Sequence, residues 1–191
     1  MTAAVITQRV LPRSRAADLI LVVAAAALTA LAAQVRIPLG FTPVPITGQT
    51  FAVLLTGAAL GWKLGLAGQV LYVLVGALGA PVFTDASGGL EVVLGATGGY
   101  LVGFVIAAGL VGWLAERRHD RAFAGMFLSF LLGSVVIYLF GVIGLMAATG
   151  WPLGEAFAKG VVPFLVGDLI KATAAGVILP GSWWLLGKRG P

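Results

Sequence analysis

The chain has 191 residues; 60% are apolar, only 10% are charged, and the formal net charge is +5. Soluble domains carry about 25% charged residues, and so few charges could not cover a water-facing surface of this size. The composition excludes a soluble globular domain, a disordered segment and a nucleic-acid-binding domain, and it leaves an integral membrane protein of one domain.

Charged residues bracket long uncharged stretches at 19–35, 37–62, 64–84, 92–115, 122–154 and 172–187. A helix crosses a hydrocarbon core of ~30 Å with about 20 apolar residues at 1.5 Å rise each. The stretches lack the alternation of barrel strands. An all-α bundle of six transmembrane helices is therefore predicted, near 16–35, 46–61, 64–80, 97–115, 123–148 and 163–186.

The first helix carries Ala26 and Ala30, a small-xxx-small pair continued by Thr29 and Ala33, which suits close contact with another helix of this chain or of a partner. After it, Arg36-Ile-Pro-Leu-Gly-Phe-Thr-Pro-Val-Pro holds Pro38, Pro43 and Pro45. Proline removes the donor a helix needs and clashes with the preceding turn, so a stiff, extended loop is expected there, with Phe41 on it. Thr47, Gln49 and Thr50 place polar side chains at the start of the second helix, to bond a solute or a neighbouring helix. Only the short turn Gly61-Trp62-Lys63 separates the second helix from the third.

The next connection runs from Ala80-Pro81-Val82-Phe83 through Gly88-Gly89 to Gly98-Gly99. A connection this long is either a binding loop or a plain linker. The fourth helix opens on Gly98-Gly99-Tyr100, where glycine permits close backbone approach and Tyr100 offers a ring and a hydroxyl. His119, the sole histidine, sits in the charged loop 116–121 before the fifth helix and reads as a solvated loop residue. Pro163 suits the first turn of the sixth helix, which would put Asp168 in its second turn and Lys171 in its third.

Asp168 and Lys171 are three apart, so they share one helix face. Each charge within a span costs about 2.5–3.5 kcal/mol on insertion scales. The pair is either a self-satisfied Asp–Lys pair that fixes packing or a solute site; a pair serving packing alone gains little over apolar residues, which favours the solute site. Lys171 holds an anionic group, and Asp168 accepts from polar N–H groups or orients Lys171.

Basic residues set orientation. Arg9, Arg13, Arg15, Lys63, Arg117, Arg118, Arg121, Lys188 and Arg189 fall on one side, against Arg36 and Lys159 on the other. Both termini are expected in the cytoplasm of a multi-pass cell-membrane protein, and no signal peptide is expected. With one histidine and no cysteine, no zinc or haem site is expected. There is no phosphate-binding Gly-x-x-x-x-Gly-Lys-Ser/Thr loop and no nucleophile set. No catalytic residue, metal or cofactor is expected.

Five motifs in order carry a resemblance: Phe-Thr-Pro-Val-Pro-Ile-Thr-Gly-Gln-Thr (41–50), Gly-Ala-Leu-Gly-Ala-Pro-Val-Phe (76–83), Ser-Gly-Gly (87–89), Gly-Ala-Thr-Gly-Gly-Tyr (95–100) and Gly-Asp-Leu-Ile-Lys (167–171). From about Ala16 to about Ile178 the chain resembles the BioY family, the biotin-specific substrate-binding (S) components of energy-coupling-factor transporters. The resemblance implies six helices and cytoplasmic termini. It implies biotin near the outer face under the first and third loops, contacted by Asp168 and Lys171, with Lys171 on the valerate carboxylate. Tyr100, Gln49, Thr47, Phe41, Phe83 and Gly98 are the other candidate pocket residues. It also implies a transmembrane coupling protein and an ATPase pair as partners, gripping the first helix at Ala26 and Ala30. Membrane lipids surround the bundle, and a homo-oligomer is compatible with the sequence. Gly48, Ala96 and Val166 depart from the family pattern, and Asp85 and Glu91 add acid to the third loop. The competing readings are an S component for another vitamin and an integral membrane enzyme acting on a lipid-like substrate.

Overall fold

The computed structural model describes residues 4–10 and 14–187, so Arg13, Lys188 and Arg189, counted above for orientation, lie outside the described residues. The chain begins with a short helix α1 (Ile6–Val10) and the long α2 (Arg15–Gln34), whose N-terminus is capped by the Ser14 side chain accepting from the Ala17 N–H. There follow a two-residue strand β1 (Arg36–Ile37), its partner β2 (Ile46–Thr47), α3 (Gln49–Leu60) and α4 (Trp62–Ala77). Beyond a 3-10 turn at Thr84–Ala86 come α5 (Leu90–Val93), α6 (Gly98–Ala115), α7 (Phe123–Thr149), α8 (Leu153–Gly160) and α9 (Leu165–Gly187).

The six principal helices correspond to the six predicted apolar stretches. Among the described residues, four segments are long and apolar enough to cross a membrane: Arg15–Gln34, Gly98–Ala115, Phe123–Thr149 and Leu153–Gly187, the last containing α8 and α9. By contrast α3 and α4, with 12 and 16 residues, reach only about 18 and 24 Å. They form a helical hairpin about Gly61, whose φ of 82° turns the chain. The predicted bounds were therefore too long at the start of the second helix and at the end of the third. The missing length at the head of α3 is filled by the hairpin of β1 and β2, paired antiparallel with Arg36 opposite Thr47 and Ile37 opposite Ile46. The expected extended loop thus folds back on itself. The Gly48 N–H donates to the carbonyls of Ala32 (3.2 Å) and Val35 (3.1 Å), tying the hairpin to the end of α2. Non-helical backbone at membrane depth is tolerated where protein buries it or it lines a cavity.

α6 is the central helix, packed most extensively on α7 and then on α3 and α4. α3 approaches it so closely that a Cβ on Gly57 would stand 2.6 Å from the Ala108 carbonyl oxygen. Thr29 of α2, Gln69 of α4 and Thr56 of α3 form a buried polar ladder, with the Gln69 amide donating to Thr29 Oγ1 (3.1 Å) and Thr56 Oγ1 (3.5 Å).

At one end of the bundle, Thr7 Oγ1 donates to the Ala59 carbonyl, Arg121 to the Ala4 carbonyl, and the Trp183 ring N–H to Asp120 Oδ2. These contacts gather the start of the chain, the α3–α4 turn, the α6–α7 loop and the end of α9. Burial raises the Asp120 carboxyl above the ordinary carboxylate range, against the opposing pull of the Trp183 hydrogen bond. At the other end lie the β hairpin, the 78–97 connection and α8.

The sixth helix starts later than expected. Pro163 lies in a 3-10 turn, Val162–Phe164, and α9 begins at Leu165. Asp168 is therefore in the first turn of α9, not the second, where the positive end of the helix dipole favours a carboxylate.

Candidate functional site

The hairpin end contains a cavity of about 290 Å³, near the lower limit of small-molecule sites, ~300–1,000 Å³. Its walls come from the β hairpin and its loop, the start of α3, the 83–87 turn, the head of α6, the middle of α7 and the head of α9. The polar floor is built on α9. Asp168 is 3% exposed; its Oδ2 accepts from the Tyr138 hydroxyl of α7 at 2.5 Å and its Oδ1 from Lys171 Nζ at 3.3 Å. Lys171 Nζ also donates to Thr50 Oγ1 (2.6 Å) and to the Thr47 carbonyl (3.0 Å) at the start of α3. An ammonium has three donors, so each finds an acceptor within the chain, and the acid and base neutralise one another.

A second polar group stands on the hairpin side. Gln49 donates to the Tyr72 hydroxyl (2.8 Å) and accepts from Thr47 Oγ1 (2.9 Å) and Thr84 Oγ1 (3.3 Å). The rest is largely aromatic and aliphatic. Phe83 is buried, edge-on to Tyr72 with ring centroids 5.4 Å apart, and it rests on Gly76, where a Cβ would overlap its ring. Phe104, Phe164 and Leu101 complete the apolar wall. Tyr100 lines the cavity with its ring while its hydroxyl donates to the Gly160 carbonyl at 2.8 Å. At the mouth Arg36 pairs with Asp85, joining the first loop to the third.

Of the residues predicted for the pocket, the structure brings together Asp168, Lys171, Tyr100, Gln49, Thr47 and Phe83. Phe41 and Gly98 do not line it. Phe41 is 55% exposed on the hairpin loop. Gly98 is pressed against the Val93 carbonyl and serves the tight entry into α6. Ala26 and Ala30 line a separate apolar groove between α2 and α4, with Leu71, Tyr72 and Val75. The sequence reading missed Tyr138, Phe104 and Phe164, which sit within or beside uninterrupted apolar runs and carry no local signal. Arg36 could have been found as the one cation beside the proline loop. Among the described residues no group of three or more His, Cys, Asp or Glu stands together as a metal site.

Fold and site together define a multi-pass membrane protein with a small-molecule pocket near one end of the bundle. The family model of the BioY family matches residues 5–188, and the chain belongs to that family. It is 42% identical over 164 residues to the probable biotin transporter BioY of Pyrococcus horikoshii, covering 86% of this chain and 94% of that one. It is also 42% identical over 152 residues to the biotin transporter BioY of Thermotoga maritima, covering 80% and 87%. A crystal structure of the S-component for biotin from an ECF-type ABC transporter superposes with a TM-score of 0.81 at 27% identity, covering 94% of this chain and 96% of that one.

Proposed function

We propose that this chain is the substrate-binding component of a biotin uptake system, capturing the vitamin in the cavity above Asp168 and Lys171. The carrying observation is the Tyr138–Asp168–Lys171 chain at the floor of the pocket, with Asp168 and Tyr138 buried. Ionisable residues within a membrane span are costly and mark solute sites and paths. Asp168 has acceptor capacity left on both oxygens for ureido N–H groups. Lys171 can exchange the neutral Thr50 hydroxyl for the valerate carboxylate, a stronger charge-assisted partner. The apolar walls gain about 25 cal/mol per Å² they cover. A membrane enzyme acting on a lipid-like substrate has no support from the family, and an S component for another vitamin is separated by competition binding.

A second orientation has its own observation. Lys171 is already neutralised by Asp168, whereas Arg36 lines the same cavity and its ion-pair partner among the described residues is the half-exposed Asp85. In that orientation the ureido ring takes the floor and the carboxylate takes Arg36.

The pocket is read as facing outward and both termini as cytoplasmic. Arg9, Arg15, Lys63, Arg117, Arg118 and Arg121 share the opposite end of the bundle, as expected of a cytoplasmic face. A transmembrane coupling protein with its ATPase pair is proposed to dock on α2. Only 17% of its apolar window is buried within the chain, against 61% for α6. Lipid or a second copy of the chain would cover the same face otherwise, and cross-linking from α2 distinguishes the three.

Purified protein in lipid nanodiscs is expected to bind labelled biotin in preference to other vitamins, and Lys171→Ala to weaken it by more than about tenfold, or 1.4 kcal/mol. Unchanged affinity in that variant removes the assigned role. Biotin methyl ester settles the orientation. Its disadvantage against biotin should vanish in Lys171→Ala if Lys171 holds the carboxylate, and in Arg36→Ala if Arg36 does.

A further inference from the structure

Phe83 and Thr84 reach the pocket from an unusual piece of backbone. Asp85 (φ 66°) and Ala86 (φ 49°) are consecutive non-glycine residues in the left-handed region, which side chains with a Cβ rarely occupy. Such backbone persists only where its surroundings over-determine it. The residue that does so most directly is Gln34, the last of α2. Its amide Nε2 donates to the Phe83 carbonyl at 3.0 Å, and its Oε1 accepts from the Ala86 N–H at 3.1 Å. One planar side chain thus spans the turn on both sides. Nε2 also donates to the Ala30 carbonyl of its own helix at 3.1 Å, which fixes the amide's direction. The turn is closed internally by the Phe83 N–H to the Ser87 carbonyl (2.9 Å) and the Ser87 hydroxyl to the Thr84 carbonyl (2.7 Å). Across the mouth it is tied by Arg36 to Asp85.

We infer that Gln34 is a positioning residue of the binding site. By clamping the 83–86 turn to the end of α2, it holds the Phe83 ring and the Thr84 hydroxyl in the pocket wall and so sets how long the ligand stays. Gln34 does not line the cavity, so its effect passes wholly through the turn. The link to residence time rests on the biotin reading above; the clamp itself does not.

The test uses the full chain in nanodiscs. Without ligand, Gln34→Ala is expected to speed amide hydrogen exchange at Ala86 at least about tenfold, while the helices keep their protection. With labelled biotin, the same variant is expected to raise the dissociation rate about tenfold and to change the association rate less than about threefold. Gln34→Glu keeps the acceptor for Ala86 but loses the donor to Phe83, and should fall between. Adding Ala86→Gly to Gln34→Ala removes the Cβ penalty at that position and should slow dissociation again. Unchanged exchange overturns the clamp. Faster exchange with unchanged dissociation overturns its link to the ligand, and so does a double variant no slower to release than Gln34→Ala. If the unmodified protein fails to bind biotin, the biotin reading falls, and exchange at Ala86 still decides on Gln34.

Discussion

A carboxylate sealed among apolar side chains needs hydrogen-bond donors in place of its lost water. Asp168 has two from within the chain, Tyr138 and Lys171, one on each oxygen. Tyr138→Phe keeps the ring and deletes one donor. Leaving a buried acceptor short costs about 1–3 kcal/mol. That variant should therefore weaken biotin binding by about 5- to 150-fold in calorimetry, with the helical content unchanged. Full affinity in it would show that Lys171 alone orders Asp168. The pairing of Asp168 with Lys171 was legible from their spacing of three on a helix. Tyr138 was not, because it lies 30 residues away in sequence within α7 and meets Asp168 only through the packing of α7 on α9.

At the scale of elements, glycine replaces the hydrophobic effect as the means of association, since lipid is as apolar as leucine and close backbone contact must do the work. The α3–α4 hairpin illustrates it. Both helices are too short to span by themselves, and they are held by intimate contact with α6. A methyl group on Gly57 would fall 2.6 Å from backbone that cannot swing aside. Gly57→Ala is expected to destabilise by about 1–3 kcal/mol, read as a lowered thermal midpoint in detergent, and Gly57→Leu to prevent folding. An unshifted midpoint for Gly57→Ala would mean that α3 slides on α6 at little cost. Hydropathy showed these two helices as apolar runs but could not show their ends. The run continues without a break into the β hairpin before α3 and the connection after α4, so only hydrogen-bond geometry separates them.

For the whole molecule, the charge count predicts which end faces the cytoplasm. The absence of cysteine makes this directly testable with single reporters. Gly40 sits on the hairpin loop with open space where a Cβ would stand, and His119 is exposed in the loop at the opposite end. An impermeant maleimide added to intact cells should label Gly40→Cys and leave His119→Cys untouched until the membrane is opened. The reverse pattern would invert the topology and place the pocket inside.

Composition and the spacing of charges were enough to establish a membrane-embedded helical bundle, its six apolar runs and the ionisable pair that marks the pocket. These are one-dimensional properties: the bilayer penalises each charge and demands each span wherever the chain later packs. The tertiary structure alone decided which polar side chains face that pair, how Gln34 reaches across to Phe83 and Ala86, and why Phe41 stays outside. Those outcomes depend on contacts between helices distant in sequence, and in an apolar background many faces look alike until close packing selects one.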